Sequence, residues 1–263
     1  MIEQAVAAIE GYERVLRILL PLYRVTIASG PSLSVGPRYE RAVNIAHGWY
    51  VRCLRSVEAL LLLEGGGLAD EGSAIRRSVI EHIVALQWLV ARGDEVVDTL
   101  AREHAKSGAK RLAALQDASW ESIDFEGVAA ELDAIRAEEL DASQDFLLHF
   151  RQREQRFDQT RSLPLYLAET AISHPSYESA NRYRDQATGE FLLDSWASSP
   201  QAPFCASELL SATMIFRQVF EPPPWDEELT EASSQFQTAT DAARASAGLS
   251  PIDWDSLIPP ASQ

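Results

Sequence analysis

Apolar positions along this chain recur every three or four residues, and no stretch shows the alternation of period two that marks a strand. The spacing predicts helices over residues 2–28, 37–64, 95–118, 125–140, 143–157, 164–173, 177–183, 204–220 and 226–248. A further helix begins between Leu68 and Ala74 and ends near Arg92-Gly93. Between them stand the punctuating residues: Ser29–Pro37, rich in Gly, Pro and Ser, then Gly65-Gly66-Gly67, and Pro222-Pro223-Pro224. Pro21 is expected to kink the first helix without ending it, because Tyr23 and Ile27 continue the pattern. Asp94 reads as an N-cap for residues 95–118. The fold class is all-α, an irregular multi-helix bundle with a central buried helix at about residues 70–91. Residues 1–220 form the bundle. Residues 221–263 supply a last helix and a Pro-rich tail, packed on the bundle or trailing from it.

The central stretch is AIRRSVIEHIVALQWLVA, Ala74 to Ala91. At about 100° per residue, Ile75, Val79, Ile83, Leu86 and Val90 make one stripe, and Ile80, Val84 and Trp88 a second. Ala85 and Leu89 occupy the remaining side. A helix apolar all round is a buried one. Yet Arg77 and Glu81 stand four apart on one face, beside Val84 and Trp88. Charges in such surroundings must meet each other and further partners.

Charge and composition narrow the function classes. The chain has 263 residues and a net charge of −16. That balance argues against a broad nucleic-acid surface, which needs a basic face. A local groove remains open to RNA, because the cations are unevenly spread; only Lys106 and Lys110 are lysines. No apolar run approaches the ~20 residues of a membrane span, and the acidic start lacks the pattern of a signal peptide. A cytoplasmic protein without membrane attachment is expected. Cys53 and Cys205 sit in apolar helical contexts and read as buried structural thiols. His47 and His104 read as core or interhelical contacts. Asp145 and His149, four apart, are a weak chelating pair. No zinc, di-iron or phosphate-loop spacing occurs, so no cofactor or metal is expected.

Two resemblances bear on Arg77 and its neighbours. Arg77-Ser78-Val79-Ile80-Glu81-His82 has the form R-x4-H, which resembles the signature of the HEPN superfamily (higher eukaryotes and prokaryotes nucleotide-binding). That resemblance implies Arg77 on a phosphate and His82 as acid or base for attack by a ribose 2′-hydroxyl, in a homodimer with an RNA or nucleotide ligand. Residues five apart lie about 140° apart round a helix, so convergence needs a dimer or a distorted turn. The second resemblance covers residues 40 to 185. GLADEGSAIRRSVIEHIVALQWL and the later LPLYLAETAISHPSYES resemble an uncharacterised bacterial family of helical proteins of unknown function. Its Arg-Ser-x-x-Glu helix and later His-x-Ser turn fall on Arg77, Ser78, Glu81, His174 and Ser176. That resemblance implies that His174 meets Arg77 and Glu81 in space.

The site residues expected from this reading are Arg77, Glu81, His82 and His174 for chemistry, with Ser78, Trp88 and Ser176 for binding. Three functions stay open. One is a HEPN-like nucleotide- or RNA-directed role, as nuclease or binder. Another is a non-catalytic interaction or ligand-binding protein built on an Arg77–Glu81–His174 network. The third is a biosynthetic enzyme with an apolar pocket lined by Trp49, Trp88 and Tyr166.

Overall fold

The computed structural model describes residues 2–29, 33–120, 122–158, 161–185, 187–193 and 200–254. Among these residues there are ten α-helices and no strand. They are α1 (Ile2–Ser29), α2 (Val43–Gly65), α3 (Ser73–Arg92), α4 (Glu95–Asp117), α5 (Phe125–Ala137), α6 (Phe150–Arg153), α7 (Leu163–Ser173), α8 (Tyr177–Asn181), α9 (Ala202–Phe216) and α10 (Asp226–Ser246). Among the described residues no helix is long and apolar enough to cross a membrane. The expected extension of the tail beyond Trp254 lies outside the described residues.

α3 is the hub, in contact with α2, α4, α6, α7 and α9. Its sequence accounts for that place. Val79, Ile80, Ile83, Val84, Leu86, Trp88 and Leu89 point in several directions and are all buried. Each such side chain contributes about 1.5–3 kcal/mol when fully withdrawn from water. α2 and α9 close one side through Tyr50, Cys53, Val57, Cys205 and Leu209. Aromatic rings gather where α1, α2 and α9 meet: Tyr50 stacks on Phe216 at 4.4 Å, and Tyr23 meets both edge-on. α10 runs along α1, with Tyr12 donating to Thr240 Oγ1 at 3.1 Å. α4 and α5 form a lateral pair in which Leu132 packs onto Gly108.

Pro21 lies inside α1 as expected. Three other local expectations are corrected. α2 starts at Val43, after a short 3-10 turn at Pro37–Tyr39. Asp94 makes no cap bond to α4; its Oδ1 accepts from the backbone N–H groups of Arg41 (2.9 Å) and Ala42 (2.8 Å) and so serves the entrance to α2. Residues 143–157 are not one helix. They divide into a 3-10 turn (Asp145–Leu148), α6 and a π turn (Glu154–Asp158). The break lies at His149, whose backbone is extended. Its cause is visible in Arg153. That guanidinium takes the carbonyls of Leu147 and Leu148 at 3.0 and 3.1 Å, acceptors a continuous helix would spend on its own ladder.

Candidate functional site at the α3–α7 face

Arg77 projects from α3 towards α7. Its Nε donates to Glu81 Oε1 at 3.2 Å, one helical turn on. Its Nη1 lies 2.6 Å from His174 Nε2. An arginine can only donate, so that imidazole nitrogen accepts and carries no proton in this geometry. The guanidinium carbon stands 5.2 Å from the centre of the Tyr166 ring, a cation–π contact. Tyr166 is in turn stacked on Phe150 at 4.0 Å. Arg77 is thus held on three sides, by residues 4, 97 and 89 positions away.

Local backbone chemistry sets His174 in place. It ends α7 in an extended conformation, as a residue before proline does. Ser176 then caps α8. Its Oγ accepts from Ser179 N at 3.0 Å and donates to the Ala171 carbonyl at 2.6 Å, and Ser179 returns the cap bond. Both polar valences of Ser176 are taken by the turn itself. Its part in this region is to fix the path that carries His174.

The site is shallower than its sequence suggests. Arg77 and Glu81 keep 27% and 34% of their side-chain surface, and His174 is exposed. The deeply buried cation of α3 is the preceding residue, Arg76, which the sequence reading did not single out. Arg76 donates to Glu169 Oε1 (2.8 Å), Gln201 Oε1 (2.9 Å) and the Ala69 carbonyl (2.9 Å). Arg76 and Glu169 retain 8% of their side-chain surface each. This network ties α3 to α7 and to the start of α9, and it holds the scaffold on which Arg77 is displayed.

His82 lies elsewhere. Its Nδ1–H donates to the Ser78 carbonyl at 2.6 Å, one turn back. Burial pushes its pKa below the ordinary histidine value; the Ser78 carbonyl opposes that shift, and Arg52 and Arg153 add to it. Ser78 shares this side, its Oγ 3.4 Å from the same ring nitrogen. Arg77 and His82 therefore share no hydrogen-bond partner, although Glu81 acts on both through its charge, and within one chain the R-x4-H pair diverges. Trp88 is wholly buried and donates its indole N–H to Gln144 at 2.7 Å. It meets the region only from beneath, with Arg153 5.8 Å over its ring.

Arg153 is a second cation that sequence reasoning passed over as part of a basic helix end. Its pKa is lowered by burial, against the opposing influence of Glu81 and Tyr166. It acts on the carboxylate that Arg77 pairs with, Glu81, at a distance, and forms no ion pair with it among the described residues. The next residue, Glu154, is fully buried, and neither carboxylate oxygen meets a hydrogen-bond donor within bonding geometry. Burial is the main force raising its pKa, and Asp158 adds to it. Asp145, offered above as a chelator, is engaged by Arg102 at 3.0 Å, and no group of three metal-ligating side chains exists among the described residues. His47 contacts Tyr23 at 5.7 Å between ring centres, on the exposed side of α2, and His104 faces solvent.

Comparison with known families bears on the span that carries these residues. Residues 43–191 match the model of a family of unknown function, DUF5677. The chain belongs to this family. All seven site residues expected from sequence, together with Arg153 and Tyr166, fall within the DUF5677 span, whereas α1, α9 and α10 lie outside it. No curated protein and no solved structure matches the chain.

Proposed function

We propose that this DUF5677 protein binds a small phosphorylated ligand of the nucleotide class at the α3–α7 face, and that it acts by binding rather than by cleaving. One observation carries the reading. Arg77 is fixed by Glu81, His174 and Tyr166, yet part of its guanidinium stays open to solvent. A guanidinium prepared in this way offers forked donors to a phosphate with little ordering left to do. Arg153 adds a second positive charge within electrostatic reach of Glu81, in a chain whose net charge is −16. The face is a local positive spot on an acidic molecule, which favours an anion there over the remaining surface.

Binding is preferred to RNA cleavage because Arg77 and His82 use separate hydrogen-bond partners. A nuclease reading would need a second copy to bring its Arg77 to His82. The test is calorimetric titration of the full chain with AMP, ATP and the parent nucleoside. Nucleotides are expected to bind and the nucleoside to fail, with Arg77→Gln weakening nucleotide affinity by about ten-fold or more. Equal affinity of Arg77→Gln and wild type, or no uptake of either nucleotide at millimolar concentration, would overturn the assignment. RNA cleavage abolished by both Arg77→Gln and His82→Asn would replace it with the nuclease reading.

A further inference from the structure

The C-terminal end of α3 and the π turn after α6 flank a cleft of about 680 Å³. It lies about 22 Å along the α3 axis from Arg77, at 1.5 Å per residue. Arg92 lines it from α3, Gln152 from α6, Gln155, Arg156 and Phe157 from the π turn, and Phe146 from the 3-10 turn before α6. A π turn is a rare local geometry that recurs at functional sites. The two acids of this turn do not line the cleft. Asp158 accepts from Gln87 Nε2 at 3.3 Å and from Ser162 N at 2.7 Å, and Glu154 is wholly buried. Both ionisable residues in the lining are therefore arginines. Arg92 stands 3.9 Å from Glu95, a part-exposed pair of small worth, and Glu95 also accepts from Gln144 at 3.1 Å. Arg156 is exposed and makes no ion pair or hydrogen bond among the described residues. Even with Arg92 cancelled by Glu95, the wall over 150–158 sets Arg151, Arg153 and Arg156 against Glu154 and Asp158. Burial pushes the Glu154 carboxyl towards its neutral form, so the local charge is positive on either count.

We infer that this cleft binds a small aromatic oxyanion, a carboxylate or phosphate ester carried on a planar ring. The Arg156 guanidinium has its forked N–H donors free for such a head group, and the exposed carboxamides of Gln152 and Gln155 add further donors. Phe146 keeps 51% of its surface exposed and Phe157 is half-buried, which gives the ring an apolar flank. The volume suits a small molecule, whose sites run to about 300–1,000 Å³. An organic cation would meet two like charges and no carboxylate. A neutral ring would touch the phenylalanines and leave the guanidinium unmatched. A long polyanion is disfavoured by the net charge of −16 that surrounds the cleft.

The proposal is tested by saturation-transfer NMR titration of the full chain with phenyl phosphate and benzoate, with benzamidine and inorganic phosphate alongside. At least one aromatic anion is expected to bind and benzamidine to fail; the preferred anion names the head group. Affinity should fall about ten-fold or more in Arg156→Gln, as for loss of a charged hydrogen bond. Phe146→Ala should weaken the aromatic anion by about two- to ten-fold and leave inorganic phosphate unchanged. Arg77→Gln should not alter binding here, which separates this cleft from the α3–α7 face. No uptake of either aromatic anion at millimolar concentration, equal uptake of benzamidine, or a Phe146→Ala variant that binds the anion as tightly as wild type would each overturn the proposal. So would binding lost in Arg77→Gln and kept in Arg156→Gln, which would return the anion to the α3–α7 face. Arg156 and Phe146 are both exposed, and thermal melts of the two variants check that the fold is intact.

Discussion

Arg76 and Glu169 meet at 2.8 Å across 93 positions of sequence, both buried, while Arg77 next door stands partly in solvent. Adjacent residues on a helix point about 100° apart, so one arginine serves the scaffold and the other the face. The same chemical pair, Arg with Glu, therefore has two energetic meanings in this protein.

Glu169→Ala should be severely destabilising. It would leave the Arg76 guanidinium buried with only Gln201 Oε1 and a carbonyl for company. Breaking a buried pair from one side costs about 3–5 kcal/mol. The urea midpoint should drop with the slope unchanged. A loss below about 1 kcal/mol would mean that water reaches this pair.

Glu81→Gln and Arg77→Gln should each change stability by less than about 1 kcal/mol, because their pair is part-exposed and screened. Thermal melts would show the near-neutral effect. A large fall in either variant would mean that the α3–α7 contact is itself a structural staple.

Stability should respond to pH through two groups of opposite sign. Burial holds the folded-state pKa of His82 below the ordinary histidine value of 6.5. As pH falls below that value the unfolded chain gains a proton that the folded chain resists, so stability falls until the folded pKa is passed. Glu208 behaves in the reverse sense. Its carboxyl is pushed up from 4.5 to about 7, chiefly by burial. The unfolded chain loses that proton first, so this contribution is present at low pH and disappears as pH rises through the interval from 4.5 to about 7. Glu208→Gln should flatten that decline, and His82→Asn the loss on the acid side. Urea midpoints measured across the range decide both; an unchanged profile in either variant would count against the burial assigned to that group.

Gly93→Ala should be disruptive out of proportion to one methyl group. Gly93 has φ +61°, and an added Cβ would lie 2.4 Å from the Arg38 carbonyl oxygen. Backbone strain of this kind costs of order 1–3 kcal/mol before the clash is counted. Loss of the α2–α3–α4 junction would appear as a lower melting temperature. A variant as stable as wild type would show that the turn has room to shift.

The helical architecture was legible because it is written in local spacing. α1, with Pro21 inside it, and the glycine stop after α2 follow from residues within a few positions of one another. What failed to read locally depends on distant partners. The sequence offers Arg76 and Arg77 as neighbours of one chemical type, and only Glu169 and Gln201, far along the chain, decide which is buried. The break at His149 is equally non-local in cause, since Arg153 takes carbonyls the helix would otherwise use. The meeting of Arg77 with His174 was anticipated from a resemblance, not from periodicity; no spacing rule joins residues 97 positions apart. Arg153 was hidden inside a basic stretch that looked like a solvated helix end.

The pairing of α1 with α9 and α10 has a consequence for synthesis. Val15 and Leu19 are wholly covered in the finished molecule, yet α9 and α10, which pack on α1, are made only after all the helices between them. Closure of so long a loop comes late. Throughout translation of the middle of the chain, the apolar side of the first helix stays naked. A nascent polypeptide of this kind invites a chaperone onto α1 until α9 and α10 have been made.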